Sequence, residues 1–371
     1  MTEREAYIAL NMMEKVGPVG VRSLAASLGS VAAIMEASRG DLAGARGIGP
    51  ELAGAIVEQR SAADPGAEEE KAGRIGARLL TPVDGEYPRR LREVHDPPLA
   101  LYVRGDLKHR DRHAVAVVGT RRPTHYGRET AESISRELAR AGFTIVSGLA
   151  EGIDTCAHRG ALRAEGRTIA VLGGPLEPVY PRSNAALAAE IAASGAVMSE
   201  FPFGRKPDRT TFPMRNRIVS GLAVGVLVVE AGLRSGALIT VRQALDQGRS
   251  VFAVPGRIDS PASQGCLELL RDGAALVRGA NDILDEFEML VGPRQRMPAG
   301  APERRPALSG DEIALVGTLE DGDQDVDSLI RASGLTTACV NSLLIGLEMK
   351  RIVRMLPGRR VELVRTAAPG R

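Results

Sequence analysis

From about residue 113 to residue 290, short uninterrupted apolar runs alternate with longer stretches of helical period. The runs fall at 114–118, 144–146, 168–172, 196–198, 224–229, 250–254 and 275–277. Helical patterns lie between most of them, around 129–141, 153–164, 183–193, 215–222, 236–247 and 265–271. Apolar strands without polar alternation, separated by helices, predict a parallel sheet covered on both faces. The expected class is therefore α/β. Ligands of such sheets collect beyond the carboxyl ends of the strands, which directs attention to the loop after each run.

The pattern differs on either side. Residues 1 to about 60 read as helices joined by two turns, Gly17-Pro18-Val19-Gly20 and Gly47-Ile48-Gly49-Pro50. Such turns suit a helix-hairpin-helix module, whose backbone N–H groups can face a phosphate, and equally suit a plain small bundle. A charged stretch, 64–71, leads to a connector in which Asp96-Pro97-Pro98 breaks any helix before a short strand at 99–103. Residues 292–309, rich in Pro, Ala, Gly and Arg, read as a flexible linker. Beyond Gly310 come three helical patterns, a run at 351–355, a turn at 356–358 and a run at 360–364. Three helices and a β-hairpin describe a winged helix. Glu320, Asp321, Asp323, Asp325 and Asp327 near its start favour protein contact over duplex binding. The division expected is thus 1–75, 76–107, 108–291, 292–309 and 310–371.

Composition narrows the partners. The net charge is only +2 in 371 residues, so any nucleic-acid surface must be a local concentration of cations. Cys156, Cys266 and Cys339 lie far apart without metal-type spacing, and suggest a reducing compartment. The amino terminus has no secretory pattern, and no uncharged apolar run is long enough to span a bilayer. A soluble cytoplasmic protein without metal or cofactor is expected.

The loops carry the chemistry. After the first strand, Gly119-Thr120-Arg121 offers close backbone approach, a hydroxyl and a forked phosphate donor. The G-x-G-x-x-G dinucleotide spacing is absent. The second loop, residues 147–154, places two glycines before a helix, with Asp154 as its expected N-cap and His158 one turn on. An acid–base or metal role for that pair lacks a third partner in the sequence. The third loop, 173–184, is turn-rich and reads as a pocket wall. Residues 199–217 are the most informative: three of the six Phe, Phe201, Phe203 and Phe212, stand among Arg205, Lys206, Arg209, Arg215 and Arg217. Aromatic rings stack on bases while guanidinium groups track phosphates, the mode of sequence-tolerant single-strand binding. General burial of Phe would make two of the three core anchors. In the fifth loop Ser235 or Gly236 opens a helix whose N–H groups face the same crevice.

In this order the motifs resemble those of the bacterial DNA-processing protein A family (DprA, also called Smf). The residues concerned are 118–121, 145–154, Tyr180-Pro181, 213–218, Glu230-Ala231, 234–236, 253–256 and 272–274, with Tyr87-Pro88 and Asp96-Pro97-Pro98 in the connector. The resemblance covers about residues 80 to 280. It implies an extended Rossmann-like domain that dimerises, binds single-stranded DNA and, in natural transformation, loads the RecA recombinase onto incoming strands. Carried over by position, Arg121, Arg209 and Phe212 would lie in the DNA pocket, lined by Gly119 and Thr120. Phe212 would stack on a base. Arg215 and Arg217 match the family's Arg-Asn-Arg segment, in a binding or a structural role. Where the family has Gly-x-Asn, this chain has Gly265-Cys266-Leu267, and Leu267 cannot donate an amide hydrogen bond.

Two other readings compete with a non-enzymatic mediator. Nucleotide-processing phosphoribohydrolases resemble this fold but need a Gly-Gly-x-Gly-Thr loop followed by glutamate. The corresponding strand end here reads Glu230-Ala231-Gly232-Leu233-Arg234-Ser235-Gly236. A scaffold acting only through its terminal domains is the third.

Overall fold

The computed structural model describes residues 1–287, 308–319, 322–350, 352–356 and 358–363. They fall in two compact units, Met1–Gly292 and Pro293–Arg371. Most of the expected linker lies outside the described residues.

The first unit is built on one sheet of nine strands. They are β1 (Ala77–Leu80), β2 (Leu101–Gly105), β3 (Ala114–Val118), β4 (Thr144–Ser147), β5 (Thr168–Val171), β6 (Ala196–Ser199), β7 (Gly225–Val228), β8 (Ser250–Ala253) and β9 (Ala275–Leu276). Their order is β1-β2-β6-β5-β4-β3-β7-β8-β9. The seven strands from β6 to β9 run parallel, while β1 and β2 add an antiparallel edge. The connector thus supplies two strands, one of them, β1, too short to stand out by periodicity. The chain leaves β3 first towards β4, β5 and β6, then returns to pair β7 on its other side. That reversal defines a Rossmann-like switch point.

Alternation along β3 explains the layers. Ala114, Ala116 and Val118 pack with Ile218, Val219, Val241 and Ala244 of the helices Thr211–Leu222 and Ala237–Asp246. Val115 and Val117 face the other way, onto Ile134, Leu138 and Ala157 of the helices His125–Arg140 and Ile153–Arg163. Both faces are covered, so strands with no polar alternation are stable.

The amino-terminal helices are not a detached lobe. They have their own core, with Leu10, Leu24, Ile34, Leu42 and Ile56 fully buried. Ile8 and Ala72, however, pack with Leu79, Tyr102 and Ala170 of the sheet. Polar contacts reinforce the seam: Arg4 bonds Asp84 at 3.2 Å and the Leu79 carbonyl at 3.0 Å. Gly17 and Gly49 cap the helices Pro18–Leu28 and Pro50–Gln59, each with Pro at the first position.

The second unit is a winged helix. Helices Gly310–Gly317, Val326–Ser333 and Thr337–Met349 precede the hairpin strands β11 (Val353–Leu356) and β12 (Arg360–Leu363). A short strand, β10 (Gln324–Asp325), adds to β12 and was not apparent from sequence. Leu315, Leu329, Val340, Leu347 and Val361 form its core. Glu320 and Asp321 lie outside the described residues. Asp323 pairs with Arg360 at 2.7 Å, and Asp325 caps the next helix through the Ser328 amide. Among the described residues no single helix is long and apolar enough to cross a membrane.

One buried ion pair ties the start of β3 to the start of β5. Arg167, 5 % exposed, bonds both oxygens of Asp111 at 2.8 Å and the carbonyls of Asp106 and Ser194. Removing one partner strands the other charge. Arg167→Met should lower the unfolding free energy by about 3–5 kcal/mol in a urea titration; a change below about 1 kcal/mol would show that Asp111 is solvated in the folded state.

Candidate nucleic-acid interface

The loop after β3 is shaped by packing. A Cβ at Gly119 would lie 2.6 Å from Ile153 Cγ1 and 2.8 Å from the Glu230 carbonyl, so no larger residue fits. Gly119 therefore serves contact within the protein, where approach to a ligand was expected. The Thr120 amide donates to the Glu230 carbonyl at 2.7 Å, and its Oγ1 accepts from the Arg122 amide at 3.2 Å. The turn leaves Arg121 exposed.

Glu230 bridges the loops after β7 and β3 at the switch point itself. Its carboxylate, 3 % exposed, accepts from the Thr124 amide at 2.9 Å and the Thr124 hydroxyl at 2.5 Å. Neighbouring Ser235 accepts from the Ala237 amide at 3.3 Å, while exposed Gly236 is the N-cap of the helix Ala237–Asp246. The Arg121 guanidinium and the Phe212 ring meet each other without Ser235 or Gly236 between them.

The β4 loop is also internally satisfied. Asp154 is not the expected N-cap, a position held by Gly152. Its buried carboxylate accepts from the amides of Gly148 at 3.1 Å and Ala150 at 3.2 Å. Those two donors are therefore spent on Asp154 and not left for a phosphate. Burial pushes the Asp154 carboxyl up, against the pull of Arg215 and the amide bonds. His158 faces elsewhere, with Nδ1 2.7 Å from the Thr168 hydroxyl, which itself donates to the Ile145 carbonyl. The two residues form no acid–base couple, and no cluster of three metal-ligating side chains occurs among the described residues.

Arg215 and Arg217 require correction as DNA contacts. Arg215, 5 % exposed, donates through Nη1 to the carbonyls of Gly148 and Val171. Burial pushes it down to about 10, opposed by Asp154 and assisted by Arg121. Arg217, also 5 % exposed, lies 2.8 Å from Asp96 and bonds Glu200. Both guanidinium groups are engaged inside the protein. They position the helix Thr211–Leu222.

That helix presents Phe212. Ahead of it, Asp208 Oδ1 accepts from the amides of Thr210 at 2.7 Å and Thr211 at 3.0 Å. Together with the Thr210 hydroxyl, these donors hold its carboxyl below the usual range. Buried Thr211 donates to the Gly173 carbonyl at 2.6 Å. Phe212 then packs on Gly173 with its ring partly exposed. The Arg121 guanidinium sits 5.4 Å from the centre of that ring, a cation–π contact. Tyr180, half exposed, lies 5.8 Å away from it. Arg209 is exposed three residues before Phe212. The other two rings are anchors. Phe201 is buried, and Phe203 meets Tyr102 edge-on at 5.4 Å.

Tyr180 is the further ring that the fold brings to this cluster; its signal was an aromatic residue in a turn-rich loop at a strand's carboxyl end. Glu68 gave no signal at all. Almost fully buried, it accepts from the Tyr102 hydroxyl and the Phe203 amide, each at 2.9 Å. Asn11 donates to the Glu200 carbonyl at 3.0 Å. The amino-terminal helices thereby hold the base of the basic segment. Leu267 lies half buried within the helix Gln264–Arg271.

Fold and loops together define an extended Rossmann-like protein with a helical amino-terminal layer, a winged-helix unit, and an arginine–aromatic cluster at its strand ends. The family model for DNA recombination-mediator protein A matches residues 78–288. Those for the DprA winged helix domain and the SAM-like helix-hairpin-helix tandem match 299–359 and 7–61. The chain belongs to the DNA recombination-mediator protein A (DprA/Smf) family. Protein Smf of Synechocystis is 35 % identical over 393 residues, covering 97 % of this chain and 99 % of that one. Protein Smf of Escherichia coli is 41 % identical over 77 % of this chain and 78 % of its own length. Among solved structures, DNA processing protein A of Streptococcus pneumoniae superposes with a TM-score of 0.67 at 36 % identity, covering 78 % of this chain and 99 % of that one. DNA processing protein A of Helicobacter pylori, described for its single-stranded DNA binding mode, gives 0.52 at 33 % identity over 57 % of this chain and 96 % of that one.

His158 makes a pH prediction. Burial pushes its imidazole down to about 3, from 6.5. Between those values the unfolded chain binds one proton more, so stability falls as pH drops through the window. His158→Gln should flatten the plot of unfolding free energy against pH by up to about 1.4 kcal/mol per unit between pH 6 and 4. Parallel plots for the two proteins would mean that His158 can be protonated in place.

Proposed function

We propose that the chain binds single-stranded DNA without chemical turnover, at the carboxyl ends of β3, β4 and β5. The observation that carries this reading is the stacking of the Arg121 guanidinium on Phe212 at the carboxyl end of the sheet. A partly exposed ring beside an unneutralised guanidinium suits a base and its phosphate together. Thr120 and Gly119 would form the floor beside them, exposed Arg209 would supply a second phosphate donor three residues before Phe212, and Tyr180 would offer a further aromatic surface. Ser235 and Gly236 would border the site at most, through the amides opening their helix. The single-strand binding described for the Helicobacter pylori relative supports the assignment. Following the family resemblance, the role extends to a mediator of natural transformation and recombination that protects incoming strands, helps load RecA, and works as a cytoplasmic homodimer.

Arg121→Ala combined with Arg209→Ala should weaken oligonucleotide binding and reduce the logarithmic salt slope by roughly 0.7 for each phosphate no longer neutralised. An unchanged slope in an anisotropy titration would remove the proposed groove. Phe212→Ala should cost about 1–3 kcal/mol of affinity and leave that slope nearly intact, because stacking releases no counterions. The full chain is the proper material, since a piece beginning at residue 108 lacks β2, Glu68 and Asn11. Incubated with nucleoside monophosphates, the protein should release no free base; release at a rate proportional to protein would favour a phosphoribohydrolase.

A further inference from the structure

A second concentration of cations lies at the opposite end of the sheet. His113 immediately precedes β3, whose far end leads to Gly119 and Arg121. The two ends are separated by a five-residue strand, roughly 15–20 Å. Here Arg112 donates through Nε to His113 Nε2 at 2.8 Å, and its Nη1 lies 3.0 Å from His109 Nε2. Two imidazoles thus stand where a carboxylate would normally balance a guanidinium. With Nε2 accepting, His113 carries its proton on Nδ1, a buried donor with no partner in the fold.

Two more guanidinium groups adjoin. Arg90 donates through Nε to the Arg112 carbonyl at 3.2 Å. Arg249 donates to the Gly221 carbonyl at 3.3 Å, and Leu91, next to Arg90, packs directly over Gly221. Burial, and then the charge of Arg90, hold the Arg249 guanidinium below its ordinary value. His113 is likewise depressed, by burial first and then by Arg112 and Arg90. The acids nearby restore balance only in part: the charge of Glu93 acts on both Arg90 and Arg249, but from a distance. Glu93 is bonded to Arg89 at 3.1 Å, and Asp111 is engaged by Arg167. Carbonyls orient Arg90 and Arg249 and imidazoles orient Arg112; among the described residues none of the three forms an ion pair.

We propose that Arg90, Arg112 and Arg249 form a second phosphate-binding surface, which holds the backbone of a nucleic-acid strand whose other stretch occupies the crevice at Arg121 and Phe212. This rests on the single-strand function proposed for that crevice. Guanidinium forks match phosphate oxygens, and a flexible polyanion held at one pole is presented to the other at high effective concentration. A strand long enough to reach both poles therefore binds more tightly than one that fills the crevice alone.

The test compares oligonucleotides of about 8 and about 40 nucleotides on the full-length chain. Arg90→Gln with Arg112→Gln should leave the short oligonucleotide's affinity unchanged, weaken the long one ~10-fold, and lower its salt slope by roughly 0.7 per phosphate. The Arg90→Lys, Arg112→Lys pair should retain most of the long-strand affinity, separating removal of charge from damaged structure. Equal losses for both lengths, or no loss for either, would overturn the proposal. So would capture of an acidic peptide with no length dependence for DNA. If the short oligonucleotide fails to bind the unaltered chain, the crevice reading alone falls; a long strand still weakened by the paired substitution would keep the second pole.

Discussion

The Arg215 guanidinium is the contact on which the candidate interface depends. It enters from the helix Thr211–Leu222 and bonds the carbonyls of Gly148, just past β4, and Val171, at the end of β5. A Cβ at Gly148 would lie 2.4 Å from its Nη1, so a side chain there would displace the guanidinium from these carbonyls. A buried cation is costly unless its donors are filled and a counter-charge stands close. Asp154 supplies the charge and is itself held by two loop amides. Strand ends, loop and helix are locked together, and Phe212 on the first turn of that helix inherits its position from the lock.

Charge is consequently sorted by depth. Arg215 and Arg217 are consumed by internal carbonyls and carboxylates, whereas Arg121 and Arg209 keep their charge at the surface. The engaged pair sets geometry, and the exposed pair is free to meet an anion. The same logic applies at the switch point, where the buried Glu230 carboxylate is consumed by the amide and hydroxyl of Thr124.

The amino-terminal helices share in this arrangement. Glu68 joins the Tyr102 hydroxyl of β2 to the Phe203 amide at the base of the basic segment. A buried carboxylate that accepts two such donors leaves little freedom to either partner. The antiparallel edge, the helical layer and the segment carrying Arg209 and Phe212 are therefore mechanically one piece.

By itself the sequence determined the class and most of the elements. Uninterrupted apolar runs such as 114–118 can exist only in strands covered on both faces, and they alternate with helical periods long enough for crossovers. It also determined which residues could serve a nucleic acid, because arginines and aromatic rings seldom crowd together as they do from Phe201 to Arg217. Only the tertiary structure decided which of them are available. Arg215 and Arg121 are the same residue type in equally basic surroundings, and linear order carries no measure of burial. Glu68 and Asn11 were illegible for a related reason: each reaches a partner more than a hundred positions away, and a long-range hydrogen bond leaves no period or spacing in the chain.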